Sequence, residues 1–199
     1  MFTFPDTEKK LKSTISRYKS IMRKEKKEFG NIHDGYGKRY LLFCLYFVLG
    51  DLKKSNEYFE WYKEEFPDDI GEPIQKLCWV LSLHRMGKDA EARRMLADTM
   101  LSNLYIIPQI VEEEIQKYDM QHFSNLEFID YITYMPDEVW ENISQDEIEW
   151  MKSLYDSSEF RRIRQRCIEI RRELKDAKGI EKRRPLVEEE NSLLDTLTD

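Results

Sequence analysis

Two glycines constrain the fold of this 199-residue chain more than any other feature. Gly50 and Gly87 stand 37 positions apart, and each separates two stretches in which apolar residues recur at helical spacing. Around the first glycine, aromatic, small and proline residues occur at the offsets of a helix–turn–helix repeat: Tyr46, Ser55, Phe59 and Pro67. One such helix pair cannot bury its own apolar face, so repeats of this kind stack on their neighbours. The pattern therefore predicts antiparallel helix pairs in a stacked array.

The composition favours the same fold class. The chain has only 7 glycines and 6 prolines, fewer than the tight turns of an all-β protein require. Aromatic residues make up 13% of the chain, a content that argues against disorder. We therefore predict an all-α protein.

The residues around the two glycines resemble the tetratricopeptide repeat family. The signature positions of the first repeat fall on Phe43, Tyr46, Ser55, Phe59, Tyr62 and Pro67. In the second repeat Gly87 and Ala92 match, whereas the closing proline is displaced to Pro108. The resemblance covers about residues 36–104. It implies a right-handed α–α superhelix in which the first helix of each pair lines a concave, peptide-binding groove.

Five segments are expected along the chain. They are a basic capping helix, two repeat-like helix pairs, further atypical helices, a long basic helix and an acidic tail, at residues 1–35, 36–104, 105–156, 157–184 and 185–199. The first helix carries one apolar stripe, formed by Leu11, Ile15, Tyr18 and Met22. Within the third segment, helices are predicted over residues 108–118 and 125–134, and a capping box at Ser144 and Glu147.

The family resemblance also implies which residues would bind a partner. The groove-facing positions are Tyr40, Cys44, Phe47, Val48, Leu77, Leu81, His84 and Arg85. This lining is mostly apolar with a basic corner, and an exposed patch of that kind usually marks an interaction site. We therefore expect a non-enzymatic adaptor that binds a protein or peptide partner. The sequence leaves open whether the groove is free or filled by one of the chain's own terminal helices.

Two basic stretches flank an acidic body. The net charge is −7, yet residues 7–28 carry a net charge of +6 and residues 161–184 a net charge of +7. One interpretation is that these helices dock on the acidic body. The alternative function is that of a nucleic-acid-associated regulator. It would use residues 19–27 and a basic surface formed by Arg161, Arg162, Arg166 and Lys175.

The last long helix carries a heptad seam. Its apolar residues recur at spacings of three and four: Phe160, Ile163, Cys167, Ile170, Leu174 and Ala177. Seams of this kind are typical of paired helices. A homodimer through residues 160–177 is therefore a further possibility.

No catalytic or cofactor-binding motif is found in the sequence. There is no glycine-rich phosphate loop, paired metal-ligand motif or nucleophile elbow, so we expect neither enzymatic activity nor a cofactor. A zinc site at His33, His84 and Cys78 would require folding to gather isolated residues. Three scattered cysteines favour reduced thiols and a cytoplasmic location. The longest central apolar run, residues 40–49, is too short to span a bilayer, so no membrane association is expected.

Overall fold

The structure, a computed structural model, describes residues 3–197, and within that range the regular elements are helices with no β-strand. The α-helices are α1 (Glu8–Phe29), α2 (Lys38–Leu49), α3 (Leu52–Glu65), α4 (Pro73–Arg85), α5 (Asp89–Ser102), α6 (Ile106–Ile110), α7 (Asp137–Glu141), α8 (Gln145–Tyr155), α9 (Ser158–Asp176) and α10 (Ile180–Ser192). Three short 3-10 segments lie at Asn125–Glu127, Ile129–Tyr134 and Leu193–Thr196. The prediction of an all-α protein is confirmed. Residues 1–2 of the predicted cap and 198–199 of the predicted tail lie outside the described residues.

Helices α2 and α4 form the centre of the core. In α2, residues 42–47 are all buried, and in α4 residues 73–83 are all buried. The two helices pack on each other, while α3 packs on α2 and α5 on α4. Phe43 joins three of these elements, since its ring centroid lies 5.1 Å from those of both Phe59 and Trp79. Both buried stretches are mainly apolar, with Gln75, Lys76 and Ser82 as the polar residues of α4, so neighbouring elements must cover these helices on nearly every side.

Glycine residues end α2 and α4 as the repeat pattern predicts. Gly50 has a φ of 70°, and its N–H donates to the carbonyl oxygens of Tyr46 and Phe47 at 3.0 and 3.2 Å. Gly87 has a φ of 71° and donates to the carbonyl oxygen of His84 at 2.9 Å. Left-handed backbone at a helix end satisfies carbonyl groups that have no partner within the helix. Each glycine therefore starts a tight turn into the next helix.

The two terminal apolar stripes are buried within the chain. Leu11, Ile15, Tyr18 and Met22 bury the stripe of α1, which packs on α2. The seam residues Phe160, Ile163, Cys167, Ile170 and Leu174 are also buried, and α9 packs on α5, α8 and α10. This seam therefore offers no free surface to a second copy, and the predicted dimer interface is corrected to a part of the core.

Helix α9 is further fixed by the buried Arg171. Its Nε donates to Glu190 of α10 at 2.6 Å, and its Nη2 donates to the carbonyl oxygen of Leu101 of α5 at 3.2 Å. One guanidinium group therefore joins three helices. Removing one partner of a buried ion pair is destabilising because the other charge stays buried without compensation.

Two predicted helices between α5 and α7 are wrong in extent or type. The helix predicted over residues 108–118 ends at Ile110, and Glu112 takes a φ of 56°, which an α-helix does not permit. Residues 125–134 form 3-10 turns instead of an α-helix. The Asn103 side chain donates to the carbonyl oxygens of Leu126 and Phe128 at 2.6 and 3.2 Å. It therefore takes up carbonyl groups that an α-helix would use internally.

The predicted acidic tail also differs from the structure. Helix α10 begins at Ile180 and contains Pro185, so the boundary drawn at residue 185 falls inside a helix. Glu189 accepts two hydrogen bonds from Arg166 of α9, at 2.6 and 2.8 Å. These ion pairs, which the local pattern does not reveal, hold the acidic stretch against the basic helix. None of the helices in residues 3–197 is long and apolar enough to cross a membrane.

Replacing Gly50 by alanine tests the first turn. No atom lies within 4 Å of an added Cβ at this position, so the change acts through backbone strain alone. We expect a loss of about 1 kcal/mol in the free energy of unfolding and a Tm lower by about 2–4 °C. Gly35→Ala is the matched control, because Gly35 has equal space and no left-handed φ. Equal effects of the two substitutions, measured by thermal unfolding, would contradict the assigned turn.

Candidate partner-binding cavity

The eight predicted groove residues lie together on the outer face of α2 and α4, but half of them are buried. The buried residues are Cys44, Phe47, Leu77 and Leu81, and the half-buried ones are Tyr40, Val48, His84 and Arg85. The chain itself covers much of this face. Part of the cover comes from α7, which packs on α2, and from α8, which contacts His84 and Arg85.

Arg85 joins α4 to this cover. Its Nε and Nη2 donate to the two carboxylate oxygens of Glu147 at 2.7 and 3.1 Å, and Nη2 also donates to the carbonyl oxygen of Asn142 at 2.6 Å. The guanidinium lies 4.2 Å from the ring centroid of Phe47. Next to it, His84 stacks on Trp150 at 4.0 Å. The predicted basic corner is therefore used within the chain to attach α8.

Glu147 performs two structural tasks at once. It accepts hydrogen bonds from the backbone N–H of Ser144 at 2.8 Å and from its hydroxyl at 2.9 Å, which confirms the predicted capping box. Burial acts to raise the pKa of Glu147, but the hydrogen bonds from Arg85 and Ser144 outweigh it and bring the pKa below the ordinary 4.5. The carboxylate is therefore held in its ionised form.

The other end of the same face remains open as a cavity of about 750 Å³. It lies between the first half of α2, the start of α4 and residues 125–138. The lining includes Tyr36, Tyr40, Leu41, Cys44, Glu72, Ile74, Leu126, Tyr131, Tyr134, Met135, Asp137 and Glu138. Two of the predicted groove residues, Tyr40 and Cys44, are thus part of an open site. Tyr36 and Tyr134 are 88% and 74% exposed, which is unusual for large aromatic side chains.

A hydrogen-bond network fixes the wall of the cavity at Tyr40. The Tyr40 hydroxyl donates to Asp69 at 2.6 Å and accepts a hydrogen bond from Arg39 at 2.6 Å. The Nε of Arg39 also donates to Asp69 at 2.6 Å. Burial and the bond to Asp69 raise the pKa of Tyr40, so the phenol stays neutral. A ring held in this way presents a preformed surface.

Glu72 is the half-buried carboxyl group of the cavity. Its Oε2 lies 3.5 Å from the hydroxyl oxygen of Tyr131, at the outer limit of a hydrogen bond. No lysine or arginine of the described chain forms an ion pair with it. Burial raises the pKa of Glu72 above the ordinary 4.5, and the contact with Tyr131 and the charge of Arg39 only partly oppose this.

Sequence reasoning missed most of this site. Glu72 directly precedes Pro73, the first residue of α4, and its position in the sequence gives no sign that it lines a cavity. Tyr131 and Tyr134 stand three residues apart, a spacing that predicts an ordinary helix. The only available signal was the excess of tyrosines near residues 36 and 131, which does not indicate by itself that the two segments meet.

The described residues do not form a metal site. Within residues 3–197, no three His, Cys, Asp or Glu side chains are placed to hold a metal ion, so the zinc alternative at His33, His84 and Cys78 lacks supporting geometry. Cys78 is fully buried, and burial raises its pKa well above the ordinary 9.0. A reactive thiol needs the opposite shift.

The predicted basic surface is largely engaged within the chain. Arg161 pairs with Asp156 at 3.1 Å, and Arg162 donates to the carbonyl oxygen of Thr196 at 3.1 Å. Arg166 forms ion pairs with the carboxylates of Glu169, Glu173 and Glu189. Lys175 pairs with Asp119. All four side chains thus have polar partners on neighbouring elements, which weakens their electrostatic attraction for a polyanion.

Comparisons with known proteins add no relative to this picture. No protein-family model, curated protein or solved structure matches the chain. The structure therefore defines only a class: an all-helical protein with an aromatic cavity on its central helices. The similarity to tetratricopeptide repeats stays a prediction.

Replacing Arg85 tests the attachment of α8. In Arg85→Met, Glu147 loses its cation while its side chain is only 5% exposed. We expect a loss of about 2–4 kcal/mol in the free energy of unfolding in urea, somewhat less than for a fully buried pair. Arg94→Met removes a pair in which both side chains are more than half exposed, and about 1 kcal/mol or less should be lost. A loss for Arg85→Met as small as that for Arg94→Met would contradict the attachment.

Acid should remove the contribution of Glu147. Because its folded-state pKa is depressed, the ion pair stabilises the protein above the unfolded pKa and loses its effect as the pH falls through the folded pKa. We therefore expect wild type to be more stable than Glu147→Gln at neutral pH, with a difference that shrinks below pH 4.5. Urea unfolding at several pH values measures this, and Glu114→Gln in an exposed loop controls for the loss of one charge. A difference that persists unchanged at low pH would show that the ion pair is not its source.

Proposed function

We propose that this protein is a non-enzymatic interaction module, built as a tetratricopeptide-like helical array, that binds a protein or peptide partner in its tyrosine-lined cavity. The observation that carries the proposal is the cavity at the end of the α2–α4 face. Its volume of about 750 Å³ falls in the range of pockets that enclose a small molecule, which is also room for a side chain of a partner. Tyrosines dominate the energetics of many interfaces because they bury a large area with little loss of conformational freedom.

The packing pattern supports the repeat-like part of the proposal. Helix α2 packs on α3, α4 packs on α5, and α2 also packs on α4. In a helical-repeat array, the first helices of consecutive pairs contact each other in this way and share one core. Gly50 and Gly87, which form the turn within each helix pair, both have a left-handed φ, and this agrees with such an arrangement. Three buried free cysteines also fit a reducing, cytoplasmic compartment.

A second candidate function is nucleic-acid binding, and one observation favours it. A cleft of about 310 Å³ between α1, α2 and α3 is lined by the cations of Lys12, Lys19, Arg23 and Lys54. Burial and the nearby charge of Arg23 lower the pKa of Lys19, and an anion in the cleft would relieve that repulsion. However, Lys12 and Lys54 already pair with Glu8 and Asp51. The cavity is therefore the better-supported site.

Site-specific cross-linking in the cells that make the protein tests the proposed function. A photoreactive benzoylphenylalanine replaces Tyr36 in one version of the protein and Tyr134 in another. Both positions should yield the same discrete protein adduct, because they lie on the rim of one cavity. Ile180 is the matched control, since it is 79% exposed and lies at the start of α10, outside the cavity lining. The adducts are identified by mass spectrometry.

Three results would contradict a partner site at this cavity. They are adducts of the same kind from Ile180, different adducts from the two tyrosine positions, and adducts that contain only RNA or DNA. The last result would favour the second candidate function.

A further inference from the structure

The cavity lining carries negative charge and no positive charge. Its acidic residues are Glu72, Asp137 and Glu138, and none of the residues that line it is a lysine, an arginine or a histidine. An ionised carboxylate that is partly removed from water is unfavourable unless a partner compensates it. Glu72 caps α4 by accepting a hydrogen bond from the backbone N–H of Gln75, and the charge of Arg39 acts on it at a distance, but it has no ion-pair partner in the described chain. A cationic ligand would supply the direct counter-charge that the cavity lining lacks.

The nearest cations belong to α2, and each of them already has an acidic partner. Lys38 lies 3.3 Å from Asp34, and Arg39 lies 2.6 Å from Asp69. Neither is among the residues that line the cavity. Arg39 therefore acts on Glu72 only at a distance, and neither cation forms an ion pair with Glu72 or with the rim carboxylates Asp137 and Glu138.

The tyrosine rings of the cavity can bind cations through their faces. Two of them already do so within the chain, since Lys38 lies 5.0 Å from the ring centroid of Tyr36 and Arg39 lies 4.1 Å from that of Tyr40. The other two, Tyr131 and Tyr134, have ring centroids 6.2 Å apart at an angle of 52°. Among the described residues no cation contacts these two rings. A cation placed beside Glu72 and these rings would gain from both the charge and the ring quadrupoles.

We propose that the cavity binds a lysine or arginine side chain presented by the partner protein. This inference rests on the proposed function and specifies the chemistry of its ligand. Charge complementarity supports it, because three carboxylates without matching cations select against an acidic ligand and favour a basic one. The apolar part of the lining, which includes Leu41, Ile74 and Met135, would contact the aliphatic stem of such a side chain.

Peptide titrations of the full chain test this inference. The probes are three pentapeptides of alanine and glycine with a central lysine, norleucine or glutamate, and butylammonium serves as a free amine. ¹H–¹⁵N spectra report which amides shift and give the dissociation constants. We expect the lysine peptide to shift residues 36–44 and 131–138 and to bind at least about fivefold more tightly than the norleucine peptide. The glutamate peptide should bind most weakly.

Two variants identify the groups that are responsible. Glu72→Gln should remove most of the preference for lysine over norleucine, whereas Glu114→Gln in the exposed loop should preserve it. Thr133→Arg places a guanidinium on the exposed rim and should also abolish the preference, without touching the start of α4. Circular dichroism confirms that each variant keeps its helix content.

Several outcomes would overturn the inference. Equal binding of the lysine and norleucine peptides would refute cation selection and would leave the cavity as a neutral partner site. Equally tight binding of butylammonium would indicate a small-amine site instead of a partner's side chain. If no probe binds, cation recognition is refuted, and the cross-linking result alone decides the proposed function.

Discussion

The structure depends on the need to cover two mainly apolar helices that are buried on nearly every side. Residues 42–47 of α2 and 73–83 of α4 leave almost no face for water, so each neighbouring element lies where it can cover them. Helices α1, α3 and α5 cover three sides in the order that short connections impose. The fourth side is covered by α7 and α8, where Arg85 and Glu147 provide a charged anchor on an otherwise apolar surface. The part of that side that stays uncovered is the cavity for which we propose a partner.

The uncovered end has a local physical cause. The Asn103 side chain binds the carbonyl oxygens of Leu126 and Phe128, which keeps residues 125–134 in 3-10 turns that cannot lie on α2 as a regular helix would. Pro136 then allows α7 to begin, and Val139 of α7 is fully buried in the core. The segment therefore bridges the face and leaves a space behind it. Because hydrogen bonds fix Tyr40, this space is preformed, and preformed sites lose less entropy when they bind.

The sequence predicted the features that depend on local periodicity. The stripe of α1, the turns at Gly50 and Gly87, the seam of α9 and the Ser144 capping box are set by residues within a few turns of one another. It could not predict which part of the groove is covered, because Arg85 and Glu147 are 62 positions apart and neither carries a local signal of the other. Helix α10 was missed for the same reason, since contacts with α9 hold an acidic stretch that by itself reads as a tail. Predicting the cavity would have required both the local periodicity and these long-range contacts.

Charge pairing inside the chain determines which charges remain for a partner. The cations of α9 are largely taken by acids of α10 and of the loops, as Arg166 and Arg171 show with Glu189 and Glu190. With 39 acidic residues against 32 basic ones, the unmatched charges are mostly carboxylates. An excess of carboxylates favours the long-range approach of cations, which agrees with the basic ligand that we propose for the cavity. The basic stretch at residues 161–184 is thus used within the chain to hold α9 against α10, through Arg166 with Glu189 and Arg171 with Glu190.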